Sequence, residues 1–313
     1  MMTTLEADHA VTTSDSPTPR LLDRALVYVT GKGGSGKTTV AAALGLAAAA
    51  RGRDTVVCDL AGSDQLARAY GRGDRDEARL ADRLSALSID PQVALEEWLR
   101  RQPGGAAAVA VLTRSRAFAH FVAAAPGAKE LVTVGKIVDL AAARASRLVV
   151  ADGPSTGHAL GMLAAPRVLG DVARLGLIGT QARELRDFLE DPVETGYVGV
   201  SLPEEMSVSE VLQLERELPG TVGRGLDLIV VNGLYPDRFS DEQEERLRGV
   251  AERSSAVRVA LAHHRRARAQ AAHVRRLREE ADAPVVTLPY LFVPRIGPRE
   301  YAALASELSR HLA

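Results

Sequence analysis

A doubly wound α/β fold, with a mostly parallel sheet, helices on both faces and one helical insert, is the class this sequence predicts, on three observations. The apolar run 25–29 meets the stretch Gly31-Lys32-Gly33-Gly34-Ser35-Gly36-Lys37-Thr38-Thr39, which opens into an alanine-rich run over 40–50. Two further apolar runs, 55–60 and 147–152, carry an aspartate at or beside the carboxyl end, Asp59 and Asp152. Beyond them, short apolar runs alternate with longer segments of helical periodicity, as crossover helices winding a parallel sheet require.

The first element fixes the chemistry. Strand, glycine loop and helix follow one another around the pattern G-x-x-x-x-G-K-[ST], so the fold expected is that of a P-loop NTPase. Glycines let successive backbone N–H groups turn inward on a phosphate chain, and the helix N-terminus adds partial positive charge. The phosphate-binding set is Gly31, Lys32, Gly33, Gly34, Ser35, Gly36, Lys37, Thr38 and Thr39. Lys37 is placed to reach the β- and γ-phosphates and Thr38 to hold Mg²⁺ through its hydroxyl. Lys32 adds to this. The chain has four lysines among 39 Lys+Arg, yet two of the four fall in this loop. A compact ammonium fits between phosphates where a planar guanidinium does not.

Composition bounds the rest. The 313 residues are 46% hydrophobic and 25% charged with a net charge of −1, which describes a globular chain with no general attraction to nucleic acid or anionic membrane. A single cysteine, Cys58, excludes an intramolecular disulfide and a Cys-x-x-Cys zinc site, and points to a cytoplasmic setting. Residues 1–20, rich in Thr, Ser, Pro and Asp, are expected to be a disordered tail preceding one ATPase domain over 21–313. No apolar run is long enough to span a bilayer, so no stable membrane insertion is expected.

Taken in order, the strand 55–60 ends in Asp59, where a carboxylate meets either the attacking water and metal shell or, structurally, the start of a helix over 65–70. Residues 71–83, dense in Arg and Asp, read as a surface loop. A short strand spans 84–89, and Asp90-Pro91 caps and starts a helix. Three helices are expected over 91–101, 105–123 and 128–145, forming the insert of about 91–146, which either meets a partner or simply packs. The strand 147–152 places Asp152 as a Walker B carboxylate beside the water shell of Mg²⁺. Gly153 to Leu160 has the glycines and hydroxyls of a loop that responds to a γ-phosphate. His158 within it either touches phosphate or a partner, or pins the loop to the next helix.

Helices follow over 166–176 and 179–190, then a strand over 196–202. A capping box, Ser207 to Glu210, opens a helix that Pro219-Gly220 ends. The strand 226–233 ends in Asn232, whose amide is suited either to adenine or to an Asn-Gly turn. Helices over 241–253 and 256–280 come next, the second with an arginine-rich face opposite Val257, Leu261, Val274 and Leu277, read as solvated. The last strand covers 284–288. A loop 289–294 beginning Pro289-Tyr290 could pack on a nucleotide base, and a helix over 299–312 closes the chain.

These residues carry a family resemblance. The loop Gly31 to Thr38 resembles the deviant Walker A of the dimeric ATPases that include the arsenite-pump ATPase, the tail-anchored-protein targeting factor, and the septum-site and partition ATPases. Asp152-Gly153-Pro154-Ser155-Thr156-Gly157-His158-Ala159-Leu160 is similar to the D-x-x-P-T-G-H-x-L segment of the arsenite-pump and targeting branch, with the proline one place early. The segments 89–99 and 126–140 are similar to that branch as well. The resemblance implies slow ATP hydrolysis with Mg²⁺ in a nucleotide-sandwich dimer, either a homodimer or a hetero-oligomer with a paralogous ATPase, acting on a protein client. It puts Lys32 in the place of the lysine that reaches the partner's phosphates, Asp59 in that of the water-activating acid and Asn232 in that of the adenine-binding amide. After Asp59 the family has Pro-Ala-His where this chain has Leu60-Ala61-Gly62. The arsenite- or zinc-binding cysteines are absent, and four methionines make no methionine-rich groove. The alternatives are a nucleotide-gated binding protein with little turnover and a partition-type ATPase on DNA or membrane.

Overall fold

The computed structural model describes residues 20–72, 77–101, 127–143, 146–172 and 177–312. Eight strands form one sheet: β1 (Leu26–Gly31), β2 (Asp54–Asp59), β3 (Ala78–Ala81), β4 (Leu84–Ser88), β5 (Arg147–Ser155), β6 (Thr195–Ser201), β7 (Leu228–Leu234) and β8 (Val285–Pro289). Their order is β3-β4-β2-β5-β1-β6-β7-β8, parallel except for the antiparallel β3–β4 pair. This is the predicted α/β class.

Every residue of β1 and of β6 is buried, as central parallel strands covered on both faces must be. Period-two alternation sends successive side chains to different layers. Leu26, Tyr28, Cys58, Val149, Ala151 and Ile229 join one core. Val27, Val29, Val57, Val150, Val200 and Val230 join the other. The second core is closed by α1 (Lys37–Ala50) and α10 (Pro298–His311). The first is closed by α3 (Pro91–Arg101), α4 (Ala128–Ala142), α5 (Thr156–Val172), α6 (Leu177–Glu190), α7 (Glu205–Val222) and α9 (Ser255–Glu280). Among the described residues the remaining α-helices are α2 (Gln65–Ala69) and α8 (Asp241–Arg248). Among the described residues, no helix is long and apolar enough to cross a membrane.

Local chemistry sets most boundaries where the sequence put them. Asp90 accepts from the Gln92 N–H at 2.8 Å and starts α3 with Pro91 at its first position. The arginine-rich face of α9 is largely exposed, whereas Leu261, His264, Ala267, Gln270, Val274 and Leu277 form its buried stripe. In the insert, α3 and α4 are joined by ion pairs Lys136–Glu97 and Arg101–Asp139, and Trp98 on α3 donates its indole N–H to Gln181 on α6. The expected helix 105–123 and the tail 1–19 lie outside the described residues.

Five expectations are corrected. The supposed loop 71–83 contains β3, which turns back on β4 through Arg83 at φ +54°. The segment 153–160 holds no free loop: β5 runs on to Ser155 and α5 starts at Thr156. Pro166 therefore lies inside α5 instead of opening a helix, at the cost of one N–H bond. Pro219 lies in the last turn of α7, which ends only at Gly223, whose φ of +71° suits a residue without Cβ. The helix expected over 241–253 stops at Arg248, and 251–253 forms a separate 3-10 turn.

Candidate functional site

β1 delivers the glycine loop to the carboxyl edge of the sheet, with Gly31 paired to Val200 of β6. A Cβ at Gly31 would stand 2.1 Å from the Val200 carbonyl oxygen, and one at Gly36 would stand 2.2 Å from Asn232 Nδ2. Gly36 also has φ +88°, so both steric room and backbone conformation demand glycine there. By contrast Gly33 and Gly34 face open space on their Cβ side. The Ser35 side chain is buried inside the loop, and its Oγ has no hydrogen-bond partner in the protein. Thr156 Oγ1, at the β5–α5 junction, is in the same condition. Native proteins rarely leave such atoms unsatisfied, and a polar ligand in the loop would account for them.

Two aspartates lie side by side behind the loop, because Asp59 of β2 and Asp152 of β5 are paired in register. Thr38, in the first turn of α1, donates its hydroxyl to Asp152 Oδ2 at 2.6 Å. Asp152 is 4% exposed. Burial pushes its carboxyl up to about 6; the Thr38 bond and Lys37 oppose that shift, and the Asp59 charge reinforces it. Lys37 is shifted below the ordinary lysine value by burial, against the pull of Asp152 and Glu210. Its ammonium donates to the Lys32 carbonyl at 3.3 Å. A hydroxyl, a buried carboxylate, a second carboxylate and two ammonium groups form a donor set that fits a hydrated Mg²⁺ and a polyphosphate.

Asp59 is held by its own loop. Oδ1 accepts from the Ala61 N–H at 2.8 Å, and Oδ2 accepts from Ser63 Oγ at 2.8 Å and the Asp64 N–H at 2.7 Å. Thr38, Asp59, Asp64 and Asp152 line a small cavity of about 20 Å³. His158 is exposed on the first turn of α5, its Nδ1 3.5 Å from Ser155 Oγ, an arrangement that ties the junction to the helix.

At the far side, Asn232 Nδ2 donates to the Ser35 carbonyl at 3.0 Å, tying the end of β7 to the glycine loop. Pro289 pairs with Leu234, and the Tyr290 N–H bonds the Leu234 carbonyl at 2.8 Å. The Tyr290 ring, 43% exposed, lies against Gly233, Tyr235 and Phe292. All the sequence-predicted site residues therefore gather along one edge of the sheet, from Asp59 through the loop to Tyr290.

Lys32 has a partner that the sequence did not disclose. Its Nζ lies 3.2 Å from Glu210 Oε2 on α7. The expected capping box at Ser207 and Glu210 is not formed. α7 begins at Glu205, and Ser207 Oγ turns back toward β6, accepting from the Leu202 N–H at 2.8 Å and lying 3.1 Å from Ser201 Oγ. Glu210 is left to face the glycine loop. A serine followed three places later by a glutamate carries no signal that separates these two outcomes.

The sheet order and the loop at the end of β1 make this a P-loop α/β protein of the nucleoside-triphosphatase class. Residues 24–178 match the family described as anion-transporting ATPase. ATPase BagA of Mycobacterium tuberculosis is 29% identical over 212 residues, covering 64% of this chain and 62% of that protein. ATPase GET3 of Pyricularia oryzae is 27% identical over 205 residues, covering 63% and 57%. ATPase get3 of Botryotinia fuckeliana is 27% identical over 220 residues, covering 67% and 59%. The chain spans about three fifths of the length of the curated relatives it matches. Residues 24–178 belong to the anion-transporting ATPase family, the ArsA type of P-loop ATPase.

Proposed function

We propose that the chain binds ATP with Mg²⁺ and hydrolyses it slowly between two protomers, using the nucleotide cycle to act on a partner protein. Residues 21–313 serve as the ATPase domain in this reading, in a cytoplasmic setting. The observation that carries it is the Thr38–Asp152 bond at 2.6 Å with Asp59 in register beside it, all behind a loop holding two lysines. Backbone N–H groups from Gly33 to Thr39 cradle the phosphates, and Lys37 neutralises the charge that grows on the γ-phosphoryl oxygens. Mg²⁺, when bound, would supply charge stabilisation to the phosphate chain. Thr38 and Asp152 hold its side of the site in position. Asp59 orients a water whose oxygen bonds to the γ-phosphorus as the bond to the β–γ bridging oxygen breaks; the proton passes to the carboxylate or to the phosphate formed. Asn232, Pro289 and Tyr290 receive the adenine at the edge of β7 and β8. Lys32 reaches the phosphates of the second protomer.

A second reading, nucleotide gating with little turnover, is favoured by one feature. Both Asp59 oxygens are occupied by Ala61, Ser63 and Asp64, so the carboxylate must be released before it serves a water. Steady-state phosphate release measured alongside ATP affinity separates the two. Asp59→Asn is expected to abolish release while leaving ATP affinity within about threefold, since its loss removes a transition-state contact and not a binding one. Tight binding by the native chain with no release would establish the gating reading.

A further inference from the structure

The mechanism above makes no use of Glu210, although this acid faces the phosphate loop directly. A carboxylate beside a polyphosphate site opposes binding of the anion, so its presence calls for a reason. Its position is well fixed. Gly31 and Val200 are paired across β1 and β6, and the Ser207 hydroxyl bonds to the chain at the end of β6, holding the first turn of α7. Glu210 follows within that helix, 3.2 Å from the Lys32 ammonium. Its charge is also felt by Lys37. Lys32 and Glu210 are 35% and 30% exposed, so water reaches the pair and it can open without stranding a buried charge.

We propose that Glu210 is a positioning residue, whose carboxylate holds the Lys32 ammonium on its own chain until a second copy offers its phosphates. The proposal rests on the dimeric reading above. A lysine that is to serve the opposite protomer is a free cation beside its own triphosphate site before assembly, and would add to phosphate binding in cis. Pairing with Glu210 restrains it there, and exchange of the carboxylate for the partner's phosphate makes association depend on bound nucleotide. The pair therefore works against premature assembly, at a strength set by its exposure: pairs of this kind shift an equilibrium by about two- to fivefold.

Sedimentation of the full chain with Mg²⁺ and the non-hydrolysable analogue AMP-PNP tests this, with thermal melting to confirm folding. Glu210→Gln should lower the protein concentration for half-association by about two- to fivefold. Glu210→Asp, which keeps the charge but shortens its reach, should move it in the same direction by less. In the Lys32→Ala background, Glu210→Gln should change nothing, a coupling that a merely structural role for Glu210 would not produce. Equal association of the native and Glu210→Gln chains, or a gain that persists without Lys32, overturns the proposal. A native chain that stays monomeric with AMP-PNP, or a Lys32→Ala chain that associates as the native does, overturns the dimeric reading itself and this inference with it.

Discussion

At the scale of single residues, Asp152 shows how the fold stores unfavourable energy at its site. Its carboxyl is raised from 3.8 to about 6, chiefly by burial. The folded chain thus holds this proton more tightly than the unfolded chain does. Between those two values stability falls as pH rises, and above about 6 the ionised group subtracts from it in full. Asp152→Asn keeps an oxygen for the Thr38 hydroxyl and removes the buried charge. In urea unfolding of the nucleotide-free protein, the variant is expected to be more stable by about 1–3 kcal/mol at pH 7.5, with the gain shrinking toward pH 4. A variant less stable than the native chain at pH 7.5 would refute this account. The position of Asp152 was legible in sequence because an apolar run ending in an acid beside a glycine loop constrains where the carboxylate stands. Glu210 was not, because its partner lies 178 places away in the chain (210 − 32) and only the pairing of β1 with β6 brings them together.

At the scale of elements, the glycine loop is shaped by its neighbours as much as by its own glycines. The Asn232 amide occupies the space that a Cβ on residue 36 would need and bonds the Ser35 carbonyl at 3.0 Å. Gly36→Ala therefore meets two penalties, the clash with Asn232 and a left-handed conformation that costs a non-glycine residue about 1–2 kcal/mol. Removing the amide relieves only the first. Denaturation of Gly36→Ala, Asn232→Ala and the double variant is expected to show the double variant recovering part of the stability lost by Gly36→Ala alone. Strict additivity of the two losses would place the clash elsewhere. Most elements could be read in advance: the strands from their apolar runs, and α3 from Asp90-Pro91. The failures share a cause. Prolines 166 and 219 mark helix boundaries by local preference, yet tertiary packing carries α5 and α7 past both. Likewise the polar stretch that holds β3 acquires a strand only because β4 offers it an edge.

At the scale of the whole molecule, the proposed cycle makes turnover a property of two chains. Phosphate release per chain should rise with protein concentration and then level off. Lys32→Ala should flatten that dependence and lower the plateau by about 10- to 100-fold, on the order of a lost charge contact in a transition state. A variant whose specific activity still climbs with concentration as the native does would show that the second lysine does not act across an interface. The fold class and the line of residues from Asp59 to Tyr290 could be foreseen because parallel sheets gather their functional groups at one edge. The pairing of charges around that edge could not, since it depends on side-chain reach and not on spacing.

The indole of Trp98 is the single tryptophan of the chain, and it bridges α3 to α6. Emission from this one fluorophore therefore reports the environment where the inserted helices meet the body of the protein, with no label added. A nucleotide-dependent change in its intensity or wavelength would signal that events at the phosphates are felt at that junction, and stopped-flow recording would time them.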